Sequence, residues 1–226
     1  MKVLAFDSSG CGCAVAALTG EHVLAEESAP MLRGQAEHLV PMIARVMAAA
    51  GLGFGALDLI AVTLGPGTFT GVRIGIATAQ GLALAADVPA LGLGSFEAVA
   101  AAVPPALLEG RALMVAIESR REELYLQAFD TGRTRTPLCE PALVAAEHWL
   151  ERAPAGPLVL AGDGTERLRP ALPGRDLVMV PGNGLIDPAA LARLAVERWQ
   201  AGFRTERLEP RYLHAPDVTV PKAATP

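Results

Sequence analysis

The stretch that decides the fold is residues 3–18, VLAFDSSGCGCAVAAL, in which an apolar run ends at an acid and a second apolar run follows. Val3 to Phe6 has the continuous apolar character of a buried strand, and the serines and glycines after Asp7 are typical of a turn. Residues 112–129, ALMVAIESRREELYLQAF, repeat this order with Glu118 as the acid. Two strand–acid–turn–strand units in one chain indicate a duplication.

The segments after each unit also alternate between strand and helix patterns. In the first half we predict strands at 22–27, 57–64 and 88–93 and helices at 35–50, about 70–86 and 95–103. In the second half we predict strands near 134–139, at 158–161 and at 177–180, and helices at 145–152 and 188–201.

Pro104-Pro105 separates the two halves. The sequence therefore predicts two α/β lobes, residues 1–104 and residues 105–226, each built from a β-β-β-α-β-α unit. A cleft between such lobes would bring Asp7 and Glu118 toward each other, where two-lobed phosphotransferases hold a Mg-nucleotide. The alternative is a single α/β domain in which the prolines form a linker.

Composition excludes several classes of protein. The 226 residues are 51% apolar and carry 19 Lys+Arg against 24 Asp+Glu, a net charge of −5, which excludes disorder. So acidic a chain is a poor stand-alone nucleic-acid binder, although a local basic patch is compatible with it. The charge-free apolar run at 74–86 is shorter than the roughly 20 residues of a membrane span. We expect a soluble, cytoplasmic protein with reduced cysteines.

Metal ligands and nucleophiles are poorly represented. Helical metal sites place two histidines three to five residues apart, a spacing that no pair among the four histidines has: His22, His38, His148 and His214. Cys11 and Cys13 read as core cysteines without a second ligand pair. Ser95 lacks the Gly-x-Ser-x-Gly context of a nucleophile and reads as a helix cap. We therefore predict no metal site in this chain and no hydrolase chemistry.

The glycine-rich block GPGTFTG, residues 65–71, joins a strand to a helix. Its amides could hold a phosphate, but it lacks the Gly-Lys-Ser/Thr ending of a Walker loop. We favour the alternative of a tight turn with Thr68 or Thr70 capping the helix. Gly162-Asp163-Gly164 is a second possible nucleotide-contacting turn. The small residues Gly71, Gly75, Ala79 and Ala83 form one helix ridge that suits close approach of another backbone, either inside the fold or at a subunit interface.

Five segments, in this order, resemble the TsaB (YeaZ) family across nearly the whole chain: LAFDSS (4–9), EHLVP (37–41), GPGTFTGVRIG (65–75), AIESRR (116–121) and LEPRYL (208–213). The glycine-rich segment is the most specific of them. The resemblance implies an actin/Hsp70/sugar-kinase-like two-lobed fold. It also implies a subunit of the bacterial machinery that makes N6-threonylcarbamoyladenosine in tRNA.

In that family the chain is not the catalyst, and it supports a paralogous catalytic subunit, TsaD, together with the TsaE ATPase. The resemblance thus implies a TsaD-like partner, a TsaE-like partner and self-association as a homodimer. It implies contact with tRNA only through the complex, and no cofactor on this chain, with ATP and Mg on the partner subunits. Where the family commonly has Asp-Ala-Arg, this chain has Glu118-Ser119-Arg120, which weakens a nucleotide role for that turn.

Two sets of residues follow as predicted sites. We place the partner surface on the helices at 35–50 and 70–86, on residues Leu39, Val40, Ile43, Val46, Met47, Gly71, Ile74, Gly75, Thr78 and Ala79. We place a vestigial nucleotide cleft at Asp7, Ser8, Ser9, Glu118, Arg120, Gly162 and Asp163. The rival function is a self-sufficient ATP-dependent kinase of the same fold, against which stands a second-lobe turn crowded with charge and lacking glycine. A peptidase is not supported.

Overall fold

The computed structural model describes residues 1–213, and His214 lies outside the described residues. Within this range ten strands form two separate five-stranded sheets. In both sheets the first strand along the chain is central, with the second and third strands on one side of it and the fourth and fifth on the other. The duplication predicted from the strand–acid–turn repeat is therefore confirmed at the level of topology.

The first sheet contains β1 (Lys2–Asp7), β2 (Gly12–Thr19), β3 (His22–Pro30), β4 (Leu59–Thr63) and β5 (Ala90–Leu93). β1 pairs antiparallel with β2 and parallel with β4, so it is the central strand. Because β1 is central, its carboxyl end, where Asp7 stands, lies in the middle of the lobe.

Two helices cover one face of this sheet: α1 (Gln35–Ala49) and α2 (Phe69–Ala86). The predicted helix at 35–50 is confirmed, and it continues through Pro41, which lies on the exposed side. Its buried residues recur at three- and four-residue steps and meet the sheet as one stripe: Leu39, Met42, Ile43, Val46 and Met47.

The second sheet contains β6 (Ala112–Glu118), β7 (Leu124–Phe129), β8 (Ala142–Val144), β9 (Leu158–Gly162) and β10 (Leu177–Pro181). The strand predicted near 134–139 is wrong, because this segment forms only an isolated bridge between Phe129 and Pro137, and the third strand is the short β8. The short helices α4 (Trp149–Arg152) and α5 (Thr165–Leu168) also belong to this half.

The remaining helices, α3 (Ser95–Ala102) and α6 (Pro188–Gln200), join the two halves. Phe96 and Ala100 of α3 pack against the second sheet. The buried face of α6, which includes Leu191 and Ala195, packs against β1 and β2 of the first sheet. The predicted division at residue 104 therefore separates the strands, whereas α6 returns from the second half to complete the first lobe. Ser95 is the first residue of α3 and does not cap it.

α2 is the one helix in residues 1–213 whose length and composition would suffice for a membrane span, with a mean hydropathy of 1.2. Length and composition do not separate such a span from a core helix. α2 packs on β4 and on α1, yet less than a third of its residues are buried. An apolar helix thus lies at the surface of the chain.

Candidate functional site

Two cavities lie between the lobes. The small cavity, of about 680 Å³, is lined by the turn after β1, the glycine-rich block, the ends of β6 and β9, and residues 180–187. The large cavity, of about 1050 Å³, is lined by the loop before α1, the start of α2, residues 118–121 and residues 211–213. Glu118 and Arg120 line both cavities.

The structure brings five of the seven predicted cleft residues together around the small cavity: Ser9, Glu118, Arg120, Gly162 and Asp163. The other two, Asp7 and Ser8, are fully buried and do not line it. The prediction that Asp7 and Glu118 stand on facing walls is therefore wrong for Asp7. Its strand ends below the surface because the following turn folds back over it.

Asp7 holds that turn together. Its Oδ1 accepts hydrogen bonds from the backbone N–H of Ser9 (3.0 Å), the hydroxyl of Ser9 (2.6 Å) and the hydroxyl of Thr63. Its Oδ2 has no partner among the described residues. Burial raises the pKa of this carboxyl, and the hydrogen bonds from Ser9 and Thr63 oppose the rise.

The acid of the second lobe is engaged differently. The Glu118 carboxylate pairs with the Arg167 guanidinium at 2.6 Å, and the Glu118 N–H donates to Oδ1 of Asp163 at 3.0 Å. Burial raises the pKa of the Asp163 carboxyl. Arg120 has a left-handed backbone (φ 62°), and its guanidinium lies 3.9 Å from the sulfur of Cys11. Arg167 was not predicted, because it stands in no motif. The prediction of a core cysteine is wrong for Cys11, which is half-buried and lines the small cavity, whereas Cys13 is buried.

The glycines of the block at 65–71 allow two backbones to meet. A Cβ at Gly67 would lie 2.5 Å from the carbonyl oxygen of Ser9, and one at Gly71 would lie 2.0 Å from that of Ser8. The Thr68 N–H donates to the Ser9 carbonyl at 2.7 Å, so it is engaged within the protein. The Thr68 side chain accepts from the Gly71 N–H at 3.2 Å. The favoured interpretation, a tight turn with a threonine cap, is confirmed with Thr68 as the cap.

A segment of the second half also packs against the turn that follows β1. The carbonyl of Gly184 accepts the Cys11 N–H at 2.7 Å and would lie 2.0 Å from a Cβ at Gly10. Residues 182–187 line the small cavity and were missed in the sequence. The signal available for them was Gly182-Asn183-Gly184 directly after a strand, the same pattern as Gly162-Asp163-Gly164.

The turns therefore do not fit the Mg-nucleotide that the two-lobed fold implies. Asp7 is enclosed, Glu118 is paired with Arg167, and the Gly184 carbonyl is packed against the first turn. Within residues 1–213 no three His, Cys, Asp or Glu side chains are grouped closely enough to hold a metal ion.

Most of the predicted partner surface is wrong, because seven of its ten residues are buried in the first lobe: Leu39, Ile43, Val46, Met47, Gly71, Gly75 and Ala79. The small ridge of α2 faces the chain's own turn, and a Cβ at Gly75 would lie 3.0 Å from the Ser8 hydroxyl and 3.3 Å from Val62. Of the ten residues, Val40 is 51% exposed, and Ile74 and Thr78 are half-buried.

The exposed sides of α1 and α2 carry a different apolar set, which we call the helical face. Its members are small or aliphatic and lie three or four residues apart on each helix: Val40, Ala44 and Ala48 on α1, and Ala77, Gly81 and Leu84 on α2. Leu84 is 87% exposed. Both helices cover the same side of one sheet, so their exposed sides point the same way.

The family model described as "TsaD: tRNA N6-adenosine threonylcarbamoyltransferase" matches residues 26–180. The tRNA threonylcarbamoyladenosine biosynthesis protein TsaB of Haemophilus influenzae is 36% identical over 62% of this chain and 58% of its own length. The TsaB protein of Escherichia coli is 29% identical over 94% of both chains.

The solved structure of YeaZ from Pseudomonas aeruginosa superposes with a TM-score of 0.79 and 29% identity, over 94% of this chain and 99% of that one. The ROK hexokinase from Thermus thermophilus superposes with a TM-score of 0.50 and 17% identity, over 90% of this chain and 100% of that one. The second likeness shows the sugar-kinase-like two-lobed fold alone. With TsaB proteins among its relatives, YeaZ as a structural neighbour and the TsaD family model over residues 26–180, the chain belongs to the TsaB (YeaZ) family.

Proposed function

We propose that this chain is a non-catalytic scaffold subunit in the synthesis of N6-threonylcarbamoyladenosine in tRNA, and that it pairs with a TsaD-like catalytic subunit. The reaction follows from the relatives, which are tRNA threonylcarbamoyladenosine biosynthesis proteins. A TsaE-like ATPase and a second copy of the chain are further partners in this proposal.

The observation that carries the proposal is the uncovered apolar side of α2. Ala77, Gly81 and Leu84 are exposed along an 18-residue helix of high mean hydropathy. The exposed side of α1 adds Val40 next to it. Exposed apolar patches of this kind mark protein–protein contacts, and small residues let a partner helix approach closely. A subunit of the same fold would offer the equivalent helix pair.

Two features of the cleft support a scaffold over the rival kinase. A kinase of this fold needs acids that reach its metal and phosphates, whereas Asp7 is enclosed and the Glu118 carboxylate is neutralised by Arg167. A TsaD-like partner is supported by the family model itself, which is described by that subunit's name.

The deciding experiment measures binding to the TsaD-like subunit of the same organism. We expect Leu84→Glu to weaken this binding by about tenfold or more, because it places a charge in a desolvated contact. The unfolding temperature should stay unchanged, since Leu84 makes no core contact. Leu150→Glu is the matched control, because Leu150 is also an exposed leucine (56%) and lies in the other half.

Met47 is unsuitable as a probe, because it is only 2% exposed and a charge there would unfold the lobe. Val40→Glu is the second test on α1. If Leu84→Glu and Val40→Glu both bind the TsaD-like subunit as tightly as wild type, the helical face is not the partner surface.

A further inference from the structure

Arginines collect in the large cavity of an otherwise acidic chain. Arg33, Arg120, Arg121 and Arg211 line it, against two acids, Glu37 and Glu118. Glu118 is already paired with Arg167, and the Arg211 guanidinium lies 3.9 Å from the Glu97 carboxylate; neither Arg167 nor Glu97 is part of the lining. The cavity therefore carries net positive charge, although the whole chain carries −5. The start of α2, the positive end of its helix dipole, also lies here.

Two aromatic rings and one guanidinium group stack on each other beside the same cavity. The rings of Phe69 and Tyr212 lie 5.5 Å apart at an interplanar angle of 23°. The Arg73 guanidinium lies 3.6 Å from the centre of the Phe69 ring and donates from Nε to the Tyr212 hydroxyl at 2.9 Å. Both rings line the cavity and remain exposed, Phe69 by 43% and Tyr212 by 41%.

Exposed stacked rings beside a group of arginines suit one class of ligand. Proteins bind single-stranded nucleic acid with aromatic side chains on which bases stack and with cations that contact phosphates. An acidic peptide would also be attracted by the arginines, but it would make no use of a flat aromatic platform. Arg33 is exposed and makes no ion pair or hydrogen bond within residues 1–213, so its charge is available to a ligand.

We propose that the large cavity binds single-stranded RNA, with one base on the Phe69–Tyr212 stack and phosphates on Arg33 and Arg211. This inference rests on the proposed function, which supplies a tRNA as the substrate of the complex. It changes one expectation from the sequence, namely that this chain meets tRNA only through its partners. The resemblance implied that expectation, and the net charge of −5 agreed with it because an average charge hides a local cluster.

The test uses the full chain alone and a fluorescent RNA hairpin with the stem and loop of a tRNA anticodon arm, compared with the same stem as a closed duplex. Fluorescence anisotropy gives the affinity at several salt concentrations. We expect the hairpin to bind more tightly than the duplex. Tyr212→Ala should weaken hairpin binding by about tenfold, whereas Tyr212→Phe, which keeps the ring, should retain it.

Arg33→Ala should weaken hairpin binding and lower the slope of log affinity against log salt by about 0.7, the value for one phosphate contact on a single strand. Arg207→Ala is the matched control, because Arg207 is an exposed arginine outside the cavity lining. It should change neither quantity.

Three outcomes would overturn the proposal. The first is that the wild-type chain does not bind the hairpin. The second is hairpin binding that Tyr212→Ala and Arg33→Ala leave unchanged. The third is that cavity variants keep hairpin binding and lose only binding to the TsaD-like subunit, which would make the cavity a protein contact. Binding to the TsaD-like subunit is measured on the same variants. A failure of the scaffold proposal would appear there, while the RNA measurement on the isolated chain would stand.

Discussion

A single carboxylate organises the turn at the end of the central strand. Oδ1 of Asp7 accepts three hydrogen bonds from Ser9 and Thr63, while Oδ2 is buried without a partner among the described residues. An ionised group removed from water is costly unless all its acceptors are satisfied. Desolvation therefore outweighs the three hydrogen bonds, and the pKa of Asp7 is raised from its ordinary 3.8.

The raised pKa of Asp7 makes stability depend on pH. Between the pKa of the unfolded chain, about 3.8, and the higher pKa of the folded protein, the folded state binds more protons. The free energy of unfolding contributed by this group therefore falls as pH rises through that window. Asp7→Asn cannot ionise, so we expect its stability relative to wild type to increase as pH rises. Urea unfolding of both proteins from acidic to neutral pH measures this; a pH-independent difference would contradict it.

At the scale of elements, the two sides of α2 differ in whether they leave room for a side chain. Its inner side meets backbone at Gly71, where a Cβ would lie 2.0 Å from the Ser8 carbonyl, whereas a Cβ at Gly81 would meet no atom within 4 Å. We expect Gly71→Ala to destabilise the protein by about 1–3 kcal/mol, as overpacking does. Gly81→Ala should stabilise it by about 0.5–1 kcal/mol, since alanine favours a helix.

Urea unfolding gives both free energies, and the two variants control each other because they make the same substitution in one helix. Equal effects would show that close approach of the Ser8 backbone is not what requires glycine in the first turn of α2.

The same helix shows what could be read from the sequence. Apolar spacing predicted α1, α2 and the central strands, because periodicity depends on neighbours along the chain. It also showed that the ridge of Gly71 and Gly75 needs a close backbone. It could not say that this backbone is the chain's own turn at Ser8, because that contact joins residues more than sixty positions apart.

Residues 134–139 show a second limit. Their pattern suggested a third strand, whereas the ladder forms at Ala142–Val144. The large cavity was missed for a related reason. Arg33, Arg120 and the adjacent pair Arg211-Tyr212 stand in three separate segments of the chain, so folding alone brings them together.

At the scale of the whole molecule, the two lobes are duplicated but not independent. The sheets have the same strand order, yet α6 crosses back to the first sheet and α3 packs against the second. The segment before α6 then closes over the first turn, where the Gly184 carbonyl meets Cys11. The chain's own return path therefore packs the Gly184 carbonyl against the turn that lines the small cavity.

This closure leads to an expectation for catalysis. Asp7 is enclosed, the Gly184 carbonyl packs against the turn that follows it, and Glu118 is paired with Arg167 at 2.6 Å, so neither of these two acids is free to hold a metal against a phosphate. The purified chain should therefore release no phosphate from Mg-ATP beyond the rate without protein. A phosphate-release assay on wild type, Asp7→Asn and the remote control Arg207→Ala checks this. Turnover that Asp7→Asn abolishes and Arg207→Ala retains would mean that the cleft opens in solution and that the chain is an enzyme in its own right.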